Sequence, residues 1–156
     1  MILIRLYDSQ DAEELANIFH AAVEGLAPKF YNPEQVKAWS ARGADANETD
    51  RRCCDGRIVW VSTDAKNHPI AFIDLETNGH IDMLFCHPSH AGTGVASKLF
   101  QKLEARAKDL KIQTLTTDAS AVAQAVFAKW GFETIKRNDF ERNGVKIFNY
   151  SMSKQL

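Results

Sequence analysis

Between residues 57 and 118 the hydrophobic pattern passes from strand alternation to helical spacing and back, and this narrows the possible folds more than any other feature of the chain. Three strand-like runs come first: RIVWVS (57–62), PIAFIDLE (69–76) and HIDMLFC (80–86). Asn78-Gly79 joins the last two, and such a dipeptide is the strongest short hairpin signal. It predicts pairing of Thr77 with His80, Leu75 with Asp82 and Ile73 with Leu84. From Val95 the residues Val95, Leu99, Phe100, Leu103, Ala107 and Leu110 form one apolar helical stripe, with Lys98, Lys102, Arg106 and Lys108 kept off it. QTLTTD (113–118) then reads as a strand. A meander followed by a strand–helix–strand crossover requires a mixed sheet with helices on its faces. A helical bundle and a doubly wound parallel sheet are both excluded.

The flanking segments extend this plan. ILIRLY (2–7) reads as a first strand, and Asp8 or Ser9 can cap a helix running to about Val23. In NPEQVKAW (32–39), Asn32 can cap a helix, Pro33 can be its first residue, and Gln35 can reach back to the cap. The stretch 40–56 is polar, with a helical turn expected near Glu48–Cys53. AVAQAVFAKW (121–130) reads as a helix stopped by Gly131, followed by strands near 133–140 and 145–153 around Asn143-Gly144. The expectation is one α/β (α+β) domain over residues 1–156, with a mixed central sheet of about six to seven strands and about four helices.

Charge and cysteines exclude several functions. The formal net charge is −1, so no global field holds nucleic acid or an anionic membrane. No apolar run approaches the roughly 18 residues of a membrane span. The three cysteines, Cys53, Cys54 and Cys86, are odd in number and fit a reducing compartment better than a disulfide framework. Cys86, His87 and His90 lack the second ligand cluster that a metal site needs. A cytoplasmic protein without metal, nucleic-acid or membrane partner is expected, as a monomer or a homodimer.

Gly92-Thr93-Gly94 stands where the long helix must start. A helix start exposes unpaired N–H groups and the positive end of the dipole, and glycines let an anion approach them. A plain turn would use the same residues. G-x-x-x-x-G-K-[ST] is absent, which argues against a Walker-type nucleotide site. A dinucleotide fingerprint would put a third glycine where Ser97 stands and would follow its strand directly, whereas five residues intervene after Cys86. Asp118, at the end of the next strand, keeps that second reading open as a ribose-binding acid.

HPSHAGTGVA (87–96) resembles the pantetheine-and-pyrophosphate segment of the GNAT superfamily of N-acetyltransferases, Gln/Arg-x-x-Gly-x-Gly/Ala. Gly94 and Ala96 fill the last two specified places, and Ala91 replaces the usual Gln or Arg. SAVAQAVFAKWGF (120–132) is similar to the family's Asn-x-x-Ala-x-x-Phe-Tyr-x-x-x-Gly-Phe, with Ser120, Ala123, Val126, Phe127, Gly131 and Phe132 in register. FYNPEQVKAW, IDMLF and the late IFNY together look like the YafP-like branch of bacterial acetyltransferases. The resemblance implies the GNAT fold and acetyl-CoA as co-substrate. Pantetheine would pair with backbone at Leu84, Phe85 and Cys86. The pyrophosphate would sit on the amides of Ala91, Gly92, Thr93, Gly94, Val95 and Ala96, with the Thr93 hydroxyl as a further donor. Ser120 and Phe127 would also contact the cofactor.

Amine acetylation needs a neutral nucleophile, a stabilised oxyanion and departure of a thiolate. An alkyl ammonium has a pKa of about 10, so a base helps at neutral pH. The family often places a Tyr as acid for the sulfur; that place is Phe127 here, which has no hydroxyl. Asp82 is the candidate base, because the expected pairing puts it on one face with Leu75, Ile73 and Leu84, and a carboxylate in apolar surroundings takes a proton more readily. A structural Asp bonded to loop amides or an arginine is the alternative. His80 shares that face nearer the turn. Tyr31 and Trp39 fall in the region that lines the family's acceptor groove and are candidate substrate contacts, with core packing the favoured reading of Trp39. The expected function is acetyl-CoA-dependent N-acetylation of a small amine. An acyl-CoA-binding sensor without turnover and an acetyltransferase for protein lysines or N-termini are the rivals.

Overall fold

The structure, a computed structural model, describes residues 2–41 and 45–156. Strand β1 (Leu3–Leu6) is followed after one residue by Asp8, whose carboxylate accepts the Gln10 N–H at 2.9 Å while Asp11 accepts the Asp8 N–H at 3.0 Å. This reciprocal cap first produces a single 3-10 turn, Ser9–Asp11, and only then helix α1 (Ala12–Leu26), which runs three residues beyond Val23. Helix α2 (Pro33–Ala41) carries the expected cap: the Asn32 side chain accepts from Gln35 N–H at 2.8 Å, and Gln35 accepts from Asn32 N–H at 2.9 Å. The helical turn expected near Glu48–Cys53 is a full helix, α3 (Ala46–Cys53), capped by Asp45; residues 42–44 of the 40–56 stretch lie outside the described residues.

Strands β2 (Ile58–Thr63), β3 (Pro69–Leu75), β4 (His80–Ile81) and β5 (Leu84–Cys86) follow, then α4 (Val95–Asp109), β6 (Thr114–Ala119), α5 (Ala121–Lys129), β7 (Glu133–Arg142) and β8 (Val145–Gln155). The mixed α/β class is as expected, but the single central sheet is not. Two four-stranded sheets form, β1-β2-β3-β5 and β4-β6-β8-β7. They are joined through residues 80–86, one extended run that changes sheet midway. β4 pairs in parallel with β6, His80 opposite Thr116 and Ile81 opposite Thr117, whereas β5 pairs antiparallel with β3.

The hairpin explains the division. Ile73 opposes Leu84, as the turn predicted. Beyond that pair the register slips, because Asp74 N–H donates to Met83 O while Glu76 N–H donates to His80 O. One residue more lies between His80 and Met83 than between Asp74 and Glu76, so the expected Leu75–Asp82 and Thr77–His80 pairs do not form. This is a β-bulge. Its mark is visible in packing: Ile81 and Met83, two residues apart, point to opposite faces. Ile81 packs with Leu99, Leu103, Leu115, Phe127 and Met152 under α4 and α5, and Met83 packs with Leu15, Ile18, Val61 and Phe72 under α1. Trp60 and Trp130 take their places around the first core, Trp130 stacked on Phe100 with ring centroids 4.6 Å apart.

Candidate functional site

The division opens a cleft of about 620 Å³, within the range of small-molecule sites. It is lined by Phe19 and Val23 of α1, by residues 80–86, and by Asp118, Ala119 and Ser120 at the end of β6, and it reaches Phe127 of α5. Along β5 the backbone groups alternate. His87 N–H donates to Ile70 O and Asp74 N–H donates to Met83 O, which puts Met83, Phe85 and His87 on the β3 side of the ladder. Leu84 and Cys86 therefore turn their N–H and C=O groups toward the cleft. They form a strand edge beside β6 on which, among the described residues, no strand lies, able to pair with an extended, amide-bearing ligand. Phe85 is held from the other side, edge-on to Phe19 at 4.8 Å.

The glycine loop lies at the outer end of this edge. Gly92 and Gly94 have φ of 77° and 82°, the left-handed region, and a Cβ on either would meet nothing within 4 Å. Gly94 caps α4 without any side-chain hydrogen bond, so no cap side chain occupies the first N–H groups of a 15-residue helix. Ala91 to Gly94 are exposed, while Val95 is buried and fixes the helix start. The Thr93 hydroxyl is not the free donor expected: it donates to His90 O at 2.6 Å, which tightens the loop on itself. Ser120 caps α5 by accepting the Ala123 N–H at 3.2 Å, and its oxygen borders the cleft. Phe127 lines the cleft but is only 2% exposed, wedged between Trp130 and Phe132.

The surroundings expected for Asp82 are corrected by the bulge. Asp82 does not share an apolar face with Leu75 and Ile73. Its side chain is 39% exposed and lies 3.0 Å from Arg57 Nη1. Arg57, almost buried, also holds Asp55 at 2.9 Å and Asp74 at 2.5 Å. Burial draws the guanidinium down, but Asp55, Asp74 and Asp82 outweigh it and hold it above its ordinary range. Asp74 is 0% exposed, and burial, with Asp82 nearby, pushes its carboxyl up to about 6 in spite of its hydrogen bonds. His80 remains beside the cleft: Nδ1 lies 2.8 Å from the Thr116 hydroxyl and Nε2 lies 4.0 Å from Asp118. From Asp118 a polar chain crosses the floor, since Ser151 donates to Asp118 at 2.9 Å and Asn138 donates to Ser151 at 2.8 Å and to Asn149 at 2.9 Å. Cys86 also borders the cleft, but burial pushes its thiol up, which disfavours the thiolate that covalent catalysis would need.

Tyr31 and Trp39 both line the cleft, in different capacities. Tyr31 is 4% exposed, and its hydroxyl donates to Phe148 O and accepts the Ala121 N–H, each at 2.8 Å. It ties α5 to β8 and leaves no polar atom for a ligand. Trp39 is half-buried, edge-on to Phe140 at 6.1 Å. Together with Lys136, Asn138 and Arg142 of β7, Phe140 completes the far wall. Sequence reasoning missed these residues, along with Arg57 and Asp74. For Asp74 a signal existed, a charged residue inside the apolar run PIAFIDL.

Comparison with known proteins agrees with this geometry. The model of the acetyltransferase (GNAT) domain matches residues 28–154. The uncharacterised N-acetyltransferase YafP of Escherichia coli (strain K12) is 34% identical over 152 residues, 97% of this chain and 94% of that protein. The crystal structure of a GCN5-related N-acetyltransferase from Rhodopseudomonas palustris superimposes with a TM-score of 0.91 at 34% identity, covering 99% of this chain and 95% of the other. The PaiA N-acetyltransferase of Thermoplasma acidophilum, solved in complex with coenzyme A, has the same fold at 18% identity, with a TM-score of 0.77 over 100% and 99% of the two chains.

Proposed function

The chain belongs to the GNAT family of N-acetyltransferases, and on that premise we propose that it carries the acetyl group of acetyl-CoA to the primary amine of a small molecule. The observation that supports this reading best is the open backbone edge of Leu84 and Cys86 inside the cleft. The pantetheine amides would pair along it, and the pyrophosphate would rest on the amides from Ala91 to Ala96, where Gly92 and Gly94 leave room. The size of the cleft and its walls of Phe19, Trp39 and Phe140 suit a small acceptor rather than a folded protein.

The amine nitrogen attacks the thioester carbonyl carbon, and the carbonyl oxygen gains charge beside the Leu84 N–H, an oriented donor in a partly dry site. The C–S bond then breaks. A thiol of pKa about 8 to 9 leaves without an acid, so the missing hydroxyl at Phe127 is tolerated. The ammonium proton goes to a group lining the cleft, either Asp82 or His80. The pairing of Asp82 with Arg57 favours His80 for the proton and Asp82 for drawing in the ammonium. A CoA-release assay over an amine panel, with mass spectrometry of products, tests the proposal. Turnover of a small amine is expected. CoA binding without turnover of any amine or peptide would replace it with a sensor, and turnover of peptides alone with a protein acetyltransferase.

A further inference from the structure

Asp74 has no place in the chemistry just described, yet it is a fully buried carboxylate in a strand whose neighbours, Ile73 and Leu75, are both core. A carboxylate so placed is costly unless its oxygens are hydrogen-bonded. The hydrogen bonds of its side chain bear on one point of the fold. Its Oδ1 accepts the N–H of Asp82 and the N–H of Met83, each at 2.8 Å. Its Oδ2 takes Nη1 of Arg57, which itself reaches Asp82. In a regular ladder the Met83 N–H would pair with the main-chain carbonyl of residue 74. The side chain takes that role and captures the Asp82 amide as well, so two successive amides answer to one residue. That is the bulge at which β4 leaves β3 and β5 leaves β6.

We infer that Asp74, with Arg57 behind it, is a positioning residue for acetyl transfer: it pins the Asp82–Met83 bulge and so aims the next amide, that of Leu84, into the cleft. The inference rests on the reading of the cleft as the acetyl-transfer site. Asp74 touches neither substrate. It acts through the backbone, and a hydrophobic residue in its place would leave two amides without an acceptor and let the strand relax toward ordinary pairing.

Two variants separate this role from a merely structural one. Asp74→Thr keeps a strand-forming residue but cannot reach both amides. Asp74→Asn keeps an oxygen that can accept both. In Asp74→Thr, kcat per folded molecule should fall about 100-fold, the usual worth of one oxyanion donor. KM for acetyl-CoA should stay within about threefold, because Cys86 and the amides from Ala91 to Ala96 still hold the cofactor while the Leu84 N–H bond strengthens in the transition state. Asp74→Asn should restore most of the rate. Hydrogen exchange at the Asp82 and Met83 amides should quicken in Asp74→Thr and stay slow in Asp74→Asn, and this readout needs no turnover. If neither the wild type nor the variants acetylate any amine, the reading of the site fails while exchange still decides the pinning. Unchanged exchange in Asp74→Thr, or activity that falls only with the folded fraction, would overturn the inference.

Discussion

His80 Nε2 stands 4.0 Å from an Asp118 carboxylate oxygen across the parallel pair β4–β6, with Nδ1 held 2.8 Å from the Thr116 hydroxyl. The hydroxyl orients the ring, and the carboxylate lies where an imidazolium would form. Asp82 has a different partner, Arg57, at 3.0 Å. His80→Gln is expected to lower kcat/KM by about 10²–10⁴ at neutral pH, the usual range for general-base catalysis. Its pH–rate profile should lose the ascending limb, while Asp82→Asn should keep that limb and raise KM for the amine. The reverse pattern, the limb lost in Asp82→Asn and kept in His80→Gln, would return the proton to Asp82.

Gly94→Val forces a branched residue into φ 82° and fills space that is now open at the start of α4. CoA and acetyl-CoA should raise the melting temperature of the wild type by mass action, and NAD should not. In Gly94→Val the shift with CoA should be largely lost while far-UV circular dichroism is retained. Full CoA binding by this variant would place the anion site elsewhere, and a response to NAD alone would favour a dinucleotide.

The raised carboxyl of Asp74 gives stability a defined pH dependence. The folded value is about 6, against about 3.9 for an unfolded Asp. The folded state therefore binds the proton more tightly, and this contribution is complete below about pH 4 and lost as pH rises through about 6. Asp74→Asn cannot titrate. Urea melts of both proteins from pH 4 to 7.5 should show the wild type losing roughly 2–3 kcal/mol relative to the variant across that interval. A constant difference would show that the carboxyl does not titrate there.

Asp11 carries the opposite sign. Burial acts to raise its carboxyl, but the paired bonds from Arg5, at 2.7 and 2.9 Å, and the Asp8 N–H prevail and lower it. The stability it contributes is present above the unfolded value of about 3.9 and is lost as pH falls through the lower folded one. Asp11→Asn should cost about 2 kcal/mol at pH 7, with both a cap and an ion pair weakened. The gap between wild type and variant should close in acid.

Local signals carried most of the fold. The Asn32–Gln35 cap and the glycine-led start of α4 each depend on residues within a few positions of one another, and each forms as its spacing implies. The GNAT resemblance of 87–96 and 120–132 rests on such segments. The splay escaped the same reasoning because alternation assumes that main-chain carbonyls accept the ladder hydrogen bonds. At Asp74 a side chain accepts them instead, and every inference about which way Asp82 faces then changes. Asn138 and Phe140 were invisible for another reason. β7 is mostly exposed and shows no apolar alternation to say which side meets the cleft.

The edge of Leu84 and Cys86 also bears on how the molecule behaves in company. An unpaired strand edge on a protein surface invites foreign strands and aggregation. This one begins where β4 and β6 are still paired at Ile81 and Thr117, and it opens onto a cleft walled by α1, β6 and α5 rather than onto free surface. A visiting β-strand, with side chains on both faces, would have to displace those walls to pair along its length. A narrow linear chain bearing two amides would not. The enclosure that leaves the hydrogen-bonding groups of Leu84 and Cys86 open to a ligand thus shields them from another protein.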